Sequence, residues 1–153
     1  MVFTTEGQFV RQFGRPGTAP GEMDRPNGLA VADDGTIYLA DSNNNRVTAL
    51  AGDGTPRWVV GAPVFDIDEQ VENDFGLPRD AAISADNTIL VIDAFRFEIV
   101  ELDRSGNVLN RFGERGTEPG GFNFPNALDV SDELILVTDK GNNRVQLIEI
   151  VGR

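Results

Sequence analysis

The feature that most constrains this chain is that it repeats itself. The stretch RQFGRPGTAPGEMDRPNGL, Arg11 to Leu29, returns without a gap as NRFGERGTEPGGFNFPNAL, Asn110 to Leu128. A middle copy emerges when the prolines are aligned: PNGLAVADDGTIYLADSNNNRV from Pro26, PRDAAISADNTILVIDAFRFEI from Pro78, and PNALDVSDELILVTDKGNNRV from Pro125. Self-similarity at a period of about 20 to 50 residues marks an array of supersecondary units, none of which buries its apolar surface alone.

Each unit reads as short strands separated by turn residues. GLAVA, AAISA and ALDVS come first, and TIYLA, TILVI and LILVT follow the polar turns DDG, DN and DE. RVTAL, FEIVEL and RVQLI form a third set, and RWVV and VLNRF a fourth. The runs are too short, too β-branched and too often broken by Gly, Asn and Asp for helices. Four short antiparallel strands per repeat of about 40 to 50 residues is the pattern of a propeller blade, so the expected fold is all-β, with three blades per chain. Residues 1–153 read as one domain, with blades over 26–61, 78–113 and 125–153. The third blade stops after its third strand. Residues 1–14, whose TTEGQFVRQFG aligns with DRSGNVLNRFG, form a fourth strand without its own first three. This N-terminal strand is expected to complete the last blade by pairing with its third strand.

PNGLAVADDGTIYLADSNNNRV resembles an NHL repeat: a proline, a small residue and an apolar pair, an acidic turn, an apolar strand ending in Asp, then Asn-rich residues and Arg before the next strand. The resemblance is strong in the first and third repeats. The middle copy keeps Asp93 but has Phe95 and Arg96 at the asparagine positions, and Glu98 where Arg46 and Arg144 align. The resemblance implies a β-propeller, most often six-bladed.

Propellers close with roughly 4 to 8 blades, and three in an arc leave two apolar faces in water. Two chains of three blades give six, and two-fold dimers are the commonest oligomers. The expected particle is therefore a homodimer in which the N-terminal strand of one chain completes the last blade of the other. The same strand count fits a half taken from a longer propeller, whether by nature or by design.

Composition narrows the chemistry. The 25 acidic residues against 13 basic ones give a formal charge of −12, which repels phosphate backbones, so nucleic acid is not expected as a partner. No run of about 18 apolar residues occurs, so no membrane span is expected in this chain, and its first residues lack the pattern of an export signal. Histidine and cysteine are both absent. That removes zinc chemistry of the kind some related propeller lyases run through histidine, and leaves carboxylates, hydroxyls, Lys/Arg or a bound hard cation.

The DSNNNRV and DKGNNRV corners concentrate oxygen ligands, but an arginine stands where a calcium loop needs one more. They read instead as structural corners, with Arg46 reaching back to Asp41 and Arg144 to Asp139, while Arg96 is expected to serve Asp93 in the middle copy. The connection GAPVFDIDEQVENDFGLP carries Asp66, Asp68 and Glu69 as weak metal candidates. It reads as a solvated acidic loop, with Phe65 and Phe75 plugging the blade junction. The glycine-rich FGRPGTAPGEM and FGERGTEPGGF lack the lysine of a P-loop and read as blade connections. Where the repeats differ, at the start of the innermost strands, Asn27, Arg79, Asp80 and Asn126 should approach the mouth of a central channel, with Asp129 out of pattern nearby. Either an Arg79–Asp80 pair stabilises that loop, or these groups hold a ligand.

The expected function is a non-catalytic binding module for a protein, peptide or small ligand, with no cofactor. The alternative is a calcium-dependent, lactonase-like site of Asn27, Asp80, Asn126 and Asp129. Sedimentation tests the assembly: the expected particle has twice the 16.6 kDa chain mass, and a stable 16.6 kDa species would overturn it.

Overall fold

A computed structural model describes residues 1–64, 73–131 and 134–149. Its strands are β1 (Val2–Phe3), β2 (Phe9–Arg11), β3 (Pro26–Val31), β4 (Ile37–Asp41), β5 (Arg46–Leu50), β6 (Pro56–Gly61), β7 (Pro78–Ile83), β8 (Ile89–Asp93), β9 (Glu98–Leu102), β10 (Val108–Phe112), β11 (Glu114–Arg115), β12 (Gly121–Phe122), β13 (Ala127–Ser131), β14 (Leu134–Asp139) and β15 (Arg144–Glu149). They form two four-stranded antiparallel meanders, β3-β4-β5-β6 and β7-β8-β9-β10, and a three-stranded one, β13-β14-β15. These are the three expected blades. Phe65, Asp66, Asp68 and Glu69 lie outside the described residues. Among the described residues, no helix is long and apolar enough to cross a membrane.

Because successive strand residues point to opposite faces, each blade has two apolar faces, and the arc buries them pairwise. Tyr38, Val47 and Ala49 of the first blade meet Ala81, Ile89, Val91, Val100 and Leu102 of the second, with Phe75 from the long connection fully buried among them. The opposite face of the second blade, Leu90, Ile92 and Ile99, meets Leu128, Ile135 and Val137 of the third. The expected plug at the blade junction is thus real for Phe75.

One expectation fails within the chain. The N-terminal strand β2 pairs with β1 in a two-stranded sheet of its own, and among the described residues β15 has no fourth strand beside it. Residues 1–3, which precede the first complete repeat, already occupy the place of a third strand. The 4–7 turn repeats the hydrogen bonds of the 51–54 and 103–106 turns: Thr4, Ala51 and Asp103 each accept from a glycine N–H three residues on.

The corners carry the strongest polar interactions. Asp41 is buried; its Oδ1 accepts from the Asp24 N–H at 2.7 Å, and its Oδ2 from Asn44 at 2.8 Å and Arg46 Nε at 2.8 Å. Arg46 spends its other N–H groups on the carbonyls of Thr18, Ala19 and Glu22 in the preceding connection. Asp139, Asn142 and Arg144 repeat this with the carbonyls of Thr117, Glu118 and Gly121. Burial alone would raise the Asp139 pKa, but hydrogen bonds from the Asn123 N–H, Asn142 and Arg144 outweigh it and hold the carboxyl below its usual range. Asn45 and Asn143 end their corners in the left-handed region, where asparagine is tolerated, and Phe97 occupies the same place at φ +59°.

In the middle corner the expected Arg96–Asp93 ion pair does not form. Asp93 is satisfied by the backbone N–H groups of Gly76, Leu77, Phe95 and Arg96. With Glu98 at the arginine position, the guanidinium comes from Arg111 on the fourth strand, 2.6 Å from Glu98 Oε1 and bonded to the Asp74 carbonyl. Arg96 supports it from the other side, 3.5 Å from Glu98 and bonded to the Asn73 carbonyl.

Removing one partner of a buried ion pair leaves an uncompensated charge, a loss of about 3–5 kcal/mol. Arg46→Ala is therefore expected to destabilise by that amount in urea unfolding. Arg144→Ala should cost less, because the Arg144 side chain is 29% exposed against 3% for Arg46. An equal or larger loss for Arg144→Ala would overturn the ordering.

Candidate functional site

The first strands of the three blades lie side by side, β3 against β7 and β7 against β13, and the residues that open them differ in kind. At the junction of the first two blades, Asn27 Nδ2 donates to Ser42 Oγ at 2.7 Å, and the Ser42 hydroxyl donates to the Pro78 carbonyl. The junction is closed by a polar plug. One blade on, Arg79 stands at the Asn27 position and Ala94 at the Ser42 position, so no hydroxyl bridges the gap. Arg79 instead extends to Asn126, donating to its Oδ1 at 2.9 Å.

A cleft opens there, lined by Leu77, Ala94 and Phe124 on its apolar side and by Arg79, Asn126 and Lys140 on its polar side. Among the described residues neither Arg79 nor Lys140 is in an ion pair, although the chain as a whole is strongly acidic. Repeat comparison singles out Arg79 and Asn126 but overlooks Lys140, because the Asp-x corner position hides among structural asparagines. Comparing Ser42, Ala94 and Lys140 across the corners would have found it.

Asp80 and Asp129 lie elsewhere. They line a shallow groove along the inner strands with Leu29, Val31, Ile83 and Leu128. Arg79 and Asp80 do not pair with each other; the register of β7 shifts between Pro78 and Asp80, and the two side chains take different partners, Asn126 and the Leu128 N–H. Asp80 accepts from the Ala81 N–H at 2.9 Å and from the Leu128 N–H at 3.2 Å, tying the second blade to the third. On its other side it leans over Gly28, where a Cβ would overlap the carboxylate, so glycine is required there. The five candidates therefore divide: Arg79 and Asn126 meet in the cleft, Asp80 and Asp129 meet in the groove, and Asn27 is held by Ser42 and the Arg25 carbonyl.

The glycine-rich connections present carbonyl oxygens to Arg46 and Arg144, the opposite polarity to a phosphate-binding nest of N–H groups. They are structural, as expected. Among the described residues, no three carboxylates gather in a geometry that could hold a metal ion.

Burial raises the Asp80 pKa, the two backbone N–H groups pull it back only in part, and the Asp129 charge pushes the same way as burial. The folded chain thus holds this proton more tightly than the unfolded chain. The contribution of Asp80 to stability is largest below the ordinary carboxylate range and falls as pH rises through its raised value. Asp80→Asn is expected to remove that loss, so the stability difference between the variant and the parent should change with pH across this window. A pH-independent difference in thermal unfolding would overturn the assignment.

The NHL repeat model matches residues 23–50 and 122–146, the two spans that carry the Asp41 and Asp139 corners. Among solved structures the chain is similar to a streptogramin B lyase, at 17% identity over 99% of this chain and 44% of that one, with a TM-score of 0.68. It is similar to virginiamycin B lyase from Staphylococcus aureus at 15% identity over 98% of this chain and 48% of that one, TM-score 0.62. A gluconolactonase from Xanthomonas campestris matches at 21% identity over 80% of this chain and 37% of that one, TM-score 0.57. The chain spans less than half the length of each of these structures, and at such identities the likeness is one of fold. With its Asp–Asn–Arg corners, its antiparallel blades and these matches, the chain carries two NHL repeats in sheets arranged as β-propeller blades.

Proposed function

We propose that the chain is a non-catalytic binding module, one half of a six-bladed ring formed by two copies, which takes an anionic group of a peptide or small ligand in the cleft between its second and third blades. The observation that carries this reading is the pairing of Arg79 and Lys140, cations with no carboxylate partner among the described residues, with an apolar wall of Leu77, Ala94 and Phe124. A carboxylate placed there gains charge-assisted hydrogen bonds from Arg79, while an adjoining apolar side chain covers the wall. The surrounding negative charge favours a ligand with a single, localised anionic group over a polyanion.

The calcium-dependent lactonase reading draws on Asp80 and Asp129, which line the same groove. These two carboxylates fall well short of the roughly six to eight oxygen ligands that calcium takes; Asn126 Oδ1 already accepts from Arg79 in the cleft, and Asn27 is tied to Ser42 at the first blade junction rather than lining the groove. Binding is therefore proposed ahead of catalysis.

Fluorescence anisotropy with short labelled peptides tests the cleft. Peptides with an apolar last residue and a free C-terminal carboxylate are expected to bind more tightly than their C-terminal amides, and Arg79→Ala or Lys140→Ala should each weaken the carboxylate form about tenfold. Equal binding of the two forms would overturn the assignment.

A further inference from the structure

The two ends of the arc expose the same surfaces that its interior buries. Val145 on β15 is 57% exposed, whereas its repeat equivalent Val47 is fully buried against the second blade. Leu134 and Leu147 are exposed on that same outer face of the third blade. At the other end Leu29 is 52% exposed, whereas its equivalent Ala81 is 4% exposed against the first blade, and Val31 is exposed beside Leu29. Terminal repeats that cap an array carry polar outer faces, and these do not. One end presents the kind of face that the first blade offers to the second; the other presents the kind of face that receives it.

The strand edges are complementary in the same sense. Among the described residues β15 is a third strand with no fourth beside it, and β2 is a fourth strand whose ladder partner is the two-residue β1. In that hairpin Phe3 faces Phe9 and Val2 faces Arg11, with an irregularity between them. The complete blade pairs Leu102 with Val108 and Glu101 with Asn110, with an irregularity at the same point. Carried across the repeat, Phe3 stands where Ile148 of a third strand belongs, and Val2 where Leu147 belongs.

Resting on the two-chain ring, we infer that its closure is a strand exchange: β2 of one copy becomes the fourth strand of the other copy's third blade, and β1, a placeholder in third-strand register, leaves to admit the partner copy's β15. The occupant is a second copy because each chain carries both halves of the contact, one at either end. The lengths agree: the chain covers 44% and 48% of two lyase structures that it matches almost from end to end, so two copies span about one such structure. A two-fold axis then makes the two contacts identical and leaves no blade face open. The fourth-strand register places Arg11 opposite Leu147 of the second copy, as Trp58 stands opposite Ala49.

The chain contains no cysteine, so an engineered pair reports without background. Oxidised Arg11→Cys/Leu147→Cys is expected to give a covalent dimer of twice 16.6 kDa on a non-reducing gel. Arg11→Cys/Ile148→Cys, whose residue 148 side chain leaves the regular strand β15 on the other face, toward the second blade, should not. A second measurement covers poor folding of the cysteine variants: Val2→Asp/Phe3→Asp loosens the placeholder and should tighten dimerisation, roughly tenfold by sedimentation. A protein that sediments as a dimer but shows no register-specific cross-link, or that dimerises more weakly when β1 is loosened, overturns the exchange and leaves the ring standing. A 16.6 kDa particle throughout overturns both.

Discussion

A blade in this chain is a small sheet that is apolar on both sides, and neither side can be left to water. In an ordinary antiparallel sheet one face meets the core and the other is polar. Here Tyr38, Val47 and Ala49 leave one face of the first blade while Leu39 and Leu50 leave the other, and all five are buried. Burial of one blade therefore depends on the presence of the next, and the chain holds together as a stack rather than around a single centre.

Stacking alone does not fix orientation, and the corners do. Each corner aspartate reaches back to a backbone N–H about a strand and a turn earlier, at Asp24, Gly76 and Asn123, so the entry to every blade is fastened to its middle. In the first and third blades an arginine then fastens the corner to the connection from the blade before. The second blade achieves the same result by moving the guanidinium to Arg111 and returning a carboxylate, Glu98, to the vacated place. Charge and geometry are conserved in the sheet while the residues that supply them change places.

The fold was legible because its signals are local and repeated. Turn residues, alternating apolar runs and the Asp-to-Arg spacing recur three times, so an accident in one copy is corrected by the others. The Asp41–Arg46 and Asp139–Arg144 pairs were readable for that reason. Arg111 was not, because its partner Glu98 lies on a neighbouring strand and no repeat carries the same exchange. Asn27, Arg79, Asp80, Asn126 and Asp129 read in sequence as one cluster at a channel mouth, whereas the structure divides them between the blade junctions and the inner groove. Arg79 and Asp80 are consecutive, and their separation between the cleft and the groove, at an irregular point of β7, is a tertiary fact that spacing does not announce. Lys140 escaped notice because it sits inside a motif whose other members are structural.

The contrast between the two blade junctions has a wider meaning. At the first, Asn27 and Ser42 occupy the gap with hydrogen bonds among themselves; at the second, a hydroxyl has become a methyl and an amide has become a guanidinium. On the proposed reading, a recognition surface arises here by subtraction. A repeat array holds several copies of every sealed seam, so it can give up one seal and keep the others, and the opened seam inherits a rigid frame that was already in place before it had anything to recognise.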